Sequence, residues 1–112
     1  EGEYSLFYFA GNFSHAIIKR PAAGDFRVQE QYGGYEAAVT PPAAAADLAQ
    51  RALAATASIT GAGTLAYARV DILRDGDGVF LLMELELIEP SLFLRFAPDN
   101  GTAFAEALLA TA

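Results

Sequence analysis

Apolar and polar positions change period several times along the chain, and each change marks an element. Residues 4–10 are aromatic and aliphatic, Gly11-Asn12 is turn chemistry, and residues 13–19 resume with apolar and polar side chains mixed, which predicts a β-hairpin. Residues 20–24, with Pro21 and Gly24, read as a loop leading to a short extended segment at 25–29. Thr40 can cap a helix whose first turn tolerates Pro41 and Pro42, and the Ala-, Leu- and Gln-rich run to about Ser58 continues it. Leu48, Ala52, Leu53, Ala55 and Ile59 recur there at helical spacing, the mark of a core-packing stripe. Gly61-Ala62-Gly63 ends that helix. Strands at 65–73 and 79–88 then flank Arg74-Asp75-Gly76-Asp77-Gly78, the strongest hairpin signal in the chain. Pro90 stops the second strand, and residues 100–110 predict a closing helix with Phe104, Leu108 and Leu109 on one side. The order β-β-loop-α-β-β-α, with strands joined in hairpins, is an α+β pattern: an antiparallel sheet flanked by two helices, in one domain spanning residues 1–112.

The second hairpin carries candidate chemistry. A two-residue type I′ turn at Asp77-Gly78 would place Asp71 opposite Glu84, Arg69 opposite Glu86 and Leu73 opposite Leu82. Alternation then puts Arg69, Asp71, Glu84 and Glu86 on one face and Val70, Ile72, Met83, Leu85 and Leu87 on the other. Opposed carboxylates destabilise a sheet and raise each other's pKa unless a cation lies among them. A divalent ion resolves that conflict, and an all-oxygen donor set suits Mg²⁺, Mn²⁺ or Ca²⁺. The same residues also read as the solvated face of a half-buried hairpin, neutralised by Arg69, and the pattern leaves both readings open. Asp75-Gly76-Asp77-Gly78 does not make a helix-flanked Ca²⁺ loop, because its flanks are strands and its spacing fails.

Composition narrows the rest. Hydrophobic residues make up 54% and charged residues 19% of the 112 positions, a globular profile, and no apolar run is long enough to span a membrane. A formal net charge of -7, from fourteen acidic and seven basic residues, repels a phosphate backbone, so nucleic acid is not an expected partner. The absence of cysteine excludes disulfides, thiolate chemistry and Cys-type zinc sites. His15 is the sole histidine, and a triad built on Ser14 would need it to act on a neighbour that alternates to the opposite strand face. Tyr4, Phe7, Tyr8, Phe9 and Phe13 are expected in the core. The chain starts Glu1-Gly2-Glu3, with no initiator Met and no basic-then-apolar leader, and is expected to be a cytoplasmic piece of something longer.

Arg69-Val70-Asp71-Ile72, Leu82-Met83-Glu84-Leu85-Glu86 and Pro90-Ser91 resemble the metal-binding end of ATP-grasp ligases, with their Arg-x-Asp strand, Glu-x-Asn strand and nearby Pro. Gly2-Glu3-Tyr4-Ser5, Lys19, residues 24–29 and Gly33-Gly34 are similar to the corresponding glutathione-synthetase-like stretch, so the likeness covers most of the chain. The resemblance implies the C-terminal ATP-grasp subdomain and an ATP-dependent ligase that joins a small-molecule carboxylate to an amine through an acyl phosphate. It implies Mg²⁺ or Mn²⁺ on Asp71, Glu84 and Glu86, Arg27 and Arg69 as catalytic residues near the phosphoryl group, Lys19 near the ATP phosphates and Glu3 near the nucleotide hinge. Glu86 departs from the family, which commonly has Asn there. The glycine-rich phosphate loop and adenine-hinge strand of the family have no counterpart in these residues, so the fragment alone is expected to be inactive. A homo-oligomer is left open. The competing expectation is a non-enzymatic α+β module whose acidic sheet face serves solubility beside a small-molecule or partner site.

Overall fold

The structure is a computed structural model of the 112-residue chain, describing residues 2–24, 26–27 and 33–111. Two strands, β1 (Glu3–Phe9) and β2 (Asn12–Arg20), form the first hairpin. Its turn falls on Ala10-Gly11 rather than Gly11-Asn12, with φ of 50° and 79°, the two positive values that a tight hairpin turn needs. A short third strand, β3 (Tyr35–Ala38), was not expected from the sequence; Tyr-Glu-Ala-Ala has too little apolar alternation to mark it. Of the extended segment expected at 25–29, Asp25, Val28 and Gln29 lie outside the described residues, while Phe26 and Arg27 are exposed and not in a strand.

Helix α1 (Ala43–Thr60) runs two residues past the expected Ser58. Thr40 does not cap it: Pro42 holds the N-cap position without a side-chain hydrogen bond, and Gly61 closes the other end through its N–H on the Ala57 carbonyl, 3.0 Å. Small residues let the helix lie close to the sheet, so Ala45 and Ala49 are its fully buried positions, with Leu48 and Leu53 packed beside them. Ala55 and Ile59 of the expected stripe face solvent instead. After β4 (Tyr67–Arg74) and β5 (Phe80–Glu86), a short 3-10 turn (Leu94–Phe96) leads to α2 (Thr102–Thr111). Helix α2 buries Ala107, and Phe104 meets Phe9 and Tyr67 with ring centroids 5.1 and 5.9 Å apart, whereas Leu108 and Leu109 are exposed.

The strands form one antiparallel sheet in the order β3-β2-β1-β4-β5, as the α+β pattern predicted, with one strand more. Alternation divides it into two faces. Tyr4, Leu6, Tyr8, Ala16, Ile18, Ala68, Val70 and Ile72 pack under α1 as the core. Each fully buried Leu, Ile or Val there contributes about 1.5–3 kcal/mol. The expected core aromatics hold except Phe13, which is exposed at the hairpin end.

Two deviations in the second hairpin cancel. Its loop has three residues, Gly76-Asp77-Gly78, not two: Gly78 N–H bonds Asp75 O at 3.1 Å, Asp75 and Val79 pair across it, and Gly78 takes φ of 82°. Asp75 Oδ1 pins the loop by accepting from the backbone N–H groups of Asp77 and Val79, each at 2.9 Å. This slips the register near the tip, so Leu73 faces Leu81 rather than the expected Leu82. A bulge opposite Asp71 and Ile72 then absorbs Met83 and shifts the register back, leaving Asp71 opposite Glu84 and Arg69 opposite Glu86 as expected. Met83 itself is exposed and not part of the apolar face.

Candidate functional site

The face of the sheet away from α1 is charged at one end. Its rows run across strands: Glu3 is opposite Leu73 and Lys19, Ser5 opposite Asp71 and Ile17, and Phe7 opposite Arg69 and His15. Glu84 and Glu86 extend the Asp71 and Arg69 rows on the edge strand. The candidates Glu3, Lys19, Arg69, Asp71, Glu84 and Glu86 therefore converge, although they come from four strands.

Asp71 is at the centre, 1% exposed. The Ser5 hydroxyl donates to its Oδ1 at 2.6 Å. Arg69 Nε lies 3.1 Å from Oδ1 and 3.3 Å from Oδ2, and Arg69 Nη2 donates to Oδ2 at 2.9 Å. Lys19 Nζ is 4.0 Å from Asp71 and 3.1 Å from Glu3. Arg69 Nη2 also reaches Glu86 at 3.1 Å and Glu84 at 3.9 Å, while Nη1 donates to the Ser91 carbonyl at 3.2 Å. Burial works against the Arg69 charge, but the Asp71 hydrogen bond and the charges of Asp71, Glu86 and Glu84 outweigh it and raise its pKa.

One carboxylate conflict survives. The Glu84 pKa is raised, first by its hydrogen bond to Glu86 and then by burial and the charges of Glu86 and Asp71, with Arg69 only partly offsetting them. The donor set, three hard carboxylates gathered around one cation, fits a divalent ion in type. Arg69 occupies the middle of that set, and among the described residues no three His, Asp or Glu side chains are arranged to hold a metal as they stand. A cation held by all three carboxylates would need Arg69 to leave the place it occupies among them.

Arg27 is not brought into this cluster; its guanidinium lies beside the Phe26 ring, 5.9 Å from the centroid. Sequence reasoning missed Ser5, whose place beside Asp71 depends on pairing between β1 and β4, strands far apart in sequence. Nor did it foresee that the segment after β5, noted for its Pro90-Ser91, is fastened to the charged face at three points. Ser91 O takes Arg69, Leu92 O lies 2.9 Å from His15 Nε2, and Arg95 pairs with Glu36 on β3. Phe93, at φ of 47°, sits in this segment in a strained conformation.

Ser14 and His15 do meet, against the alternation argument, because a bulge in β2 turns Ser14 Oγ to within 2.8 Å of His15 Nδ1. His15 Nε2 is held by a backbone carbonyl rather than a carboxylate, so no triad forms. A cavity of about 400 Å³ lies on the α1 side between Tyr8, Gln50, Leu53 and Ala68, and none of the candidate residues line it. No helix among the described residues is long and apolar enough to cross a membrane.

No family model matches the chain. It is similar to the cycloserine biosynthesis protein DcsG of Streptomyces lavendulae, 38% identical over 113 aligned residues, which cover 96% of this chain and 36% of that one. The crystal structure of D-cycloserine synthetase DcsG superposes with a TM-score of 0.83 at 34% identity, over 97% of this chain and 37% of its own. D-alanine–D-alanine ligase from Bacillus anthracis, complexed with ATP, matches with a TM-score of 0.59 at 23% identity, over 96% and 35% of the two chains. The ATP-grasp ligase PsnB, complexed with a phosphomimetic variant of its minimal precursor, Mg and ADP, matches with a TM-score of 0.61 at 21% identity, over 100% and 34%. At those identities the last two speak to the fold alone. The chain spans little more than a third of the length of these relatives.

Proposed function

Because the chain is related to ATP-grasp ligases by sequence and carries their fold over this region, we propose that it is the C-terminal catalytic part of an ATP- and Mg²⁺-dependent carboxylate–amine ligase. The observation that carries this reading is the convergence of Glu3, Lys19, Arg69, Asp71, Glu84 and Glu86 on one sheet face. In it, a substrate carboxylate attacks the γ-phosphorus of ATP and ADP leaves. The amine nitrogen then attacks the acyl phosphate carbon, inorganic phosphate departs, and the nitrogen loses a proton.

Asp71, Glu84 and Glu86 would hold Mg²⁺, which when bound offsets charge on the phosphate oxygens. Arg69, released from the carboxylates, has the planar fork that suits a phosphoryl group, and Lys19 adds a second positive charge held in place by Glu3. The roles of Glu3 toward the nucleotide and of Arg27 toward the acyl phosphate belong to this proposal, as does a cytoplasmic setting. The remaining ligase regions come from outside these residues, so the 112-residue fragment by itself turns over no ATP. The likeness to a cycloserine biosynthesis protein favours a small, amino-acid-derived substrate.

The second reading, a binding module with a neutralised acidic face, draws on Arg69 already satisfying the carboxylates. Melting with and without Mg²⁺ separates the two. The ligase reading expects Mg²⁺ to raise the melting temperature of the parent but not of an Asp71→Asn, Glu84→Gln double variant; an equal gain in both makes the cluster structural.

A further inference from the structure

Ser5 has no part in the reading above, yet it lies at the middle of the charged face on the central strand, 0% exposed. A buried hydroxyl needs a partner, and Ile17, its neighbour on β2, has no polar side-chain atom to offer. The partner is Asp71 Oδ1 at 2.6 Å, the separation of a charge-assisted O–H···O⁻ bond.

The two oxygens of Asp71 are consequently unlike. Oδ1 accepts from Ser5 as well as Arg69, whereas Oδ2 is bonded by Arg69. Arg69 is a long side chain with other acceptors in reach, Glu86, Glu84 and the Ser91 carbonyl. The Ser5 hydroxyl is one bond removed from Cβ on a strand paired on both sides, so it cannot follow Arg69 if that side chain turns away. Departure of Arg69 frees Oδ2 and leaves Oδ1 pinned.

We propose that Ser5 is a positioning residue for Asp71: its hydroxyl holds Oδ1, fixes the carboxylate orientation, and leaves Oδ2 as the oxygen available to a divalent cation. This rests on the ligase reading, and it concerns a hydrogen bond that the carboxylates themselves do not supply. Partners that orient a ligand in this way carry much of a site's affinity.

Mn²⁺ titration of the purified protein, followed by the electron paramagnetic resonance of the free ion and without ATP turnover, tests it. Ser5→Ala should raise the Mn²⁺ dissociation constant roughly 10–100-fold, while Ser5→Thr, which keeps the hydroxyl, stays within about threefold of the parent. Ser5→Cys, nearly the same size with a weaker donor, should raise it as well, and serves if the alanine variant fails to fold. Melting without metal reports whether each variant is folded. Parent-like affinity in folded Ser5→Ala or Ser5→Cys overturns the proposal, as does Ser5→Thr losing as much as Ser5→Ala. A parent protein that takes up no Mn²⁺ overturns the ligase reading and this inference together, which distinguishes that failure from the other.

Discussion

Replacing Arg69 with Met isolates what the guanidinium does for Asp71. The variant keeps an apolar stem of similar length but removes the charge that bonds both oxygens of a carboxylate only 1% exposed. Breaking a buried pair by deleting one partner costs about 3–5 kcal/mol, because the remaining charge is stranded. Lys19, 4.0 Å from Asp71, and the Ser5 hydrogen bond keep the loss near the lower end, about 3 kcal/mol on the same scale. At about 4 °C per kcal/mol for a domain of this size, the melting temperature should fall by roughly 12 °C. Adding Asp71→Leu should recover part of that, since replacing a whole buried pair by apolar side chains is often neutral but here leaves the buried Ser5 hydroxyl without its partner. Mg²⁺ at about ten times its dissociation constant should return about 1.4 kcal/mol to the single variant, the ion taking the place Arg69 held. Thermal melts of the parent, Arg69→Met and the double variant, with and without Mg²⁺, supply the numbers. A loss below about 1 kcal/mol, or a double variant no more stable than the single one, refutes the reasoning.

Burial lowers the His15 pKa below its ordinary value, ahead of the opposing effects of the Leu92 and Phe93 backbone and of Asp99. Its stabilising contribution is therefore present above about pH 6.5 and lost as pH falls through the lowered folded value, so melting profiles should drop across that range and flatten in His15→Gln; a parallel drop in both excludes His15 as the cause. Deleting Met83 removes the bulged residue and leaves Ile72 opposite Leu82, Asp71 opposite Glu84 and Arg69 opposite Glu86 in an unbroken ladder, so Glu84 and Glu86 stay on the charged face. That variant should keep its Mg²⁺-dependent stabilisation, and loss of the shift in a folded variant contradicts the register argument. Gly78→Ala meets no atom within 4 Å, so its cost should be conformational strain at φ of 82°, about 1 kcal/mol by denaturant melt, and a neutral substitution contradicts the turn assignment.

Much of the fold is legible in local pattern. Both hairpins and both helices follow from alternation, helix-forming runs and turn residues, each acting over a few positions. What local pattern does not carry is pairing between strands distant in sequence. Ser5 meets Asp71 because β1 lies between β2 and β4, an arrangement that no spacing within either hairpin encodes. The acidic register was legible for a partly fortuitous reason: a loop one residue longer than expected is compensated by the bulge at Met83. Solvent-facing apolar residues such as Ile59 and Leu109 mislead because helical spacing identifies a stripe but not which of its positions another element covers. Arg27 lies outside the regular elements, so neither period nor register places it with the cluster.

The account rests on a divalent cation taking Asp71, Glu84 and Glu86 together. Carbon-13 labelling of the Asp and Glu carboxyl groups, followed by NMR during sub-stoichiometric Mn²⁺ addition, reads this directly, since the paramagnetic ion broadens the carboxylates it touches. The resonances of Asp71, Glu84 and Glu86 should broaden first and together, ahead of Asp47, Asp75 and Asp99. Broadening that begins at the hairpin tip, at Asp75 and Asp77, or that spreads evenly over the acidic residues, contradicts it.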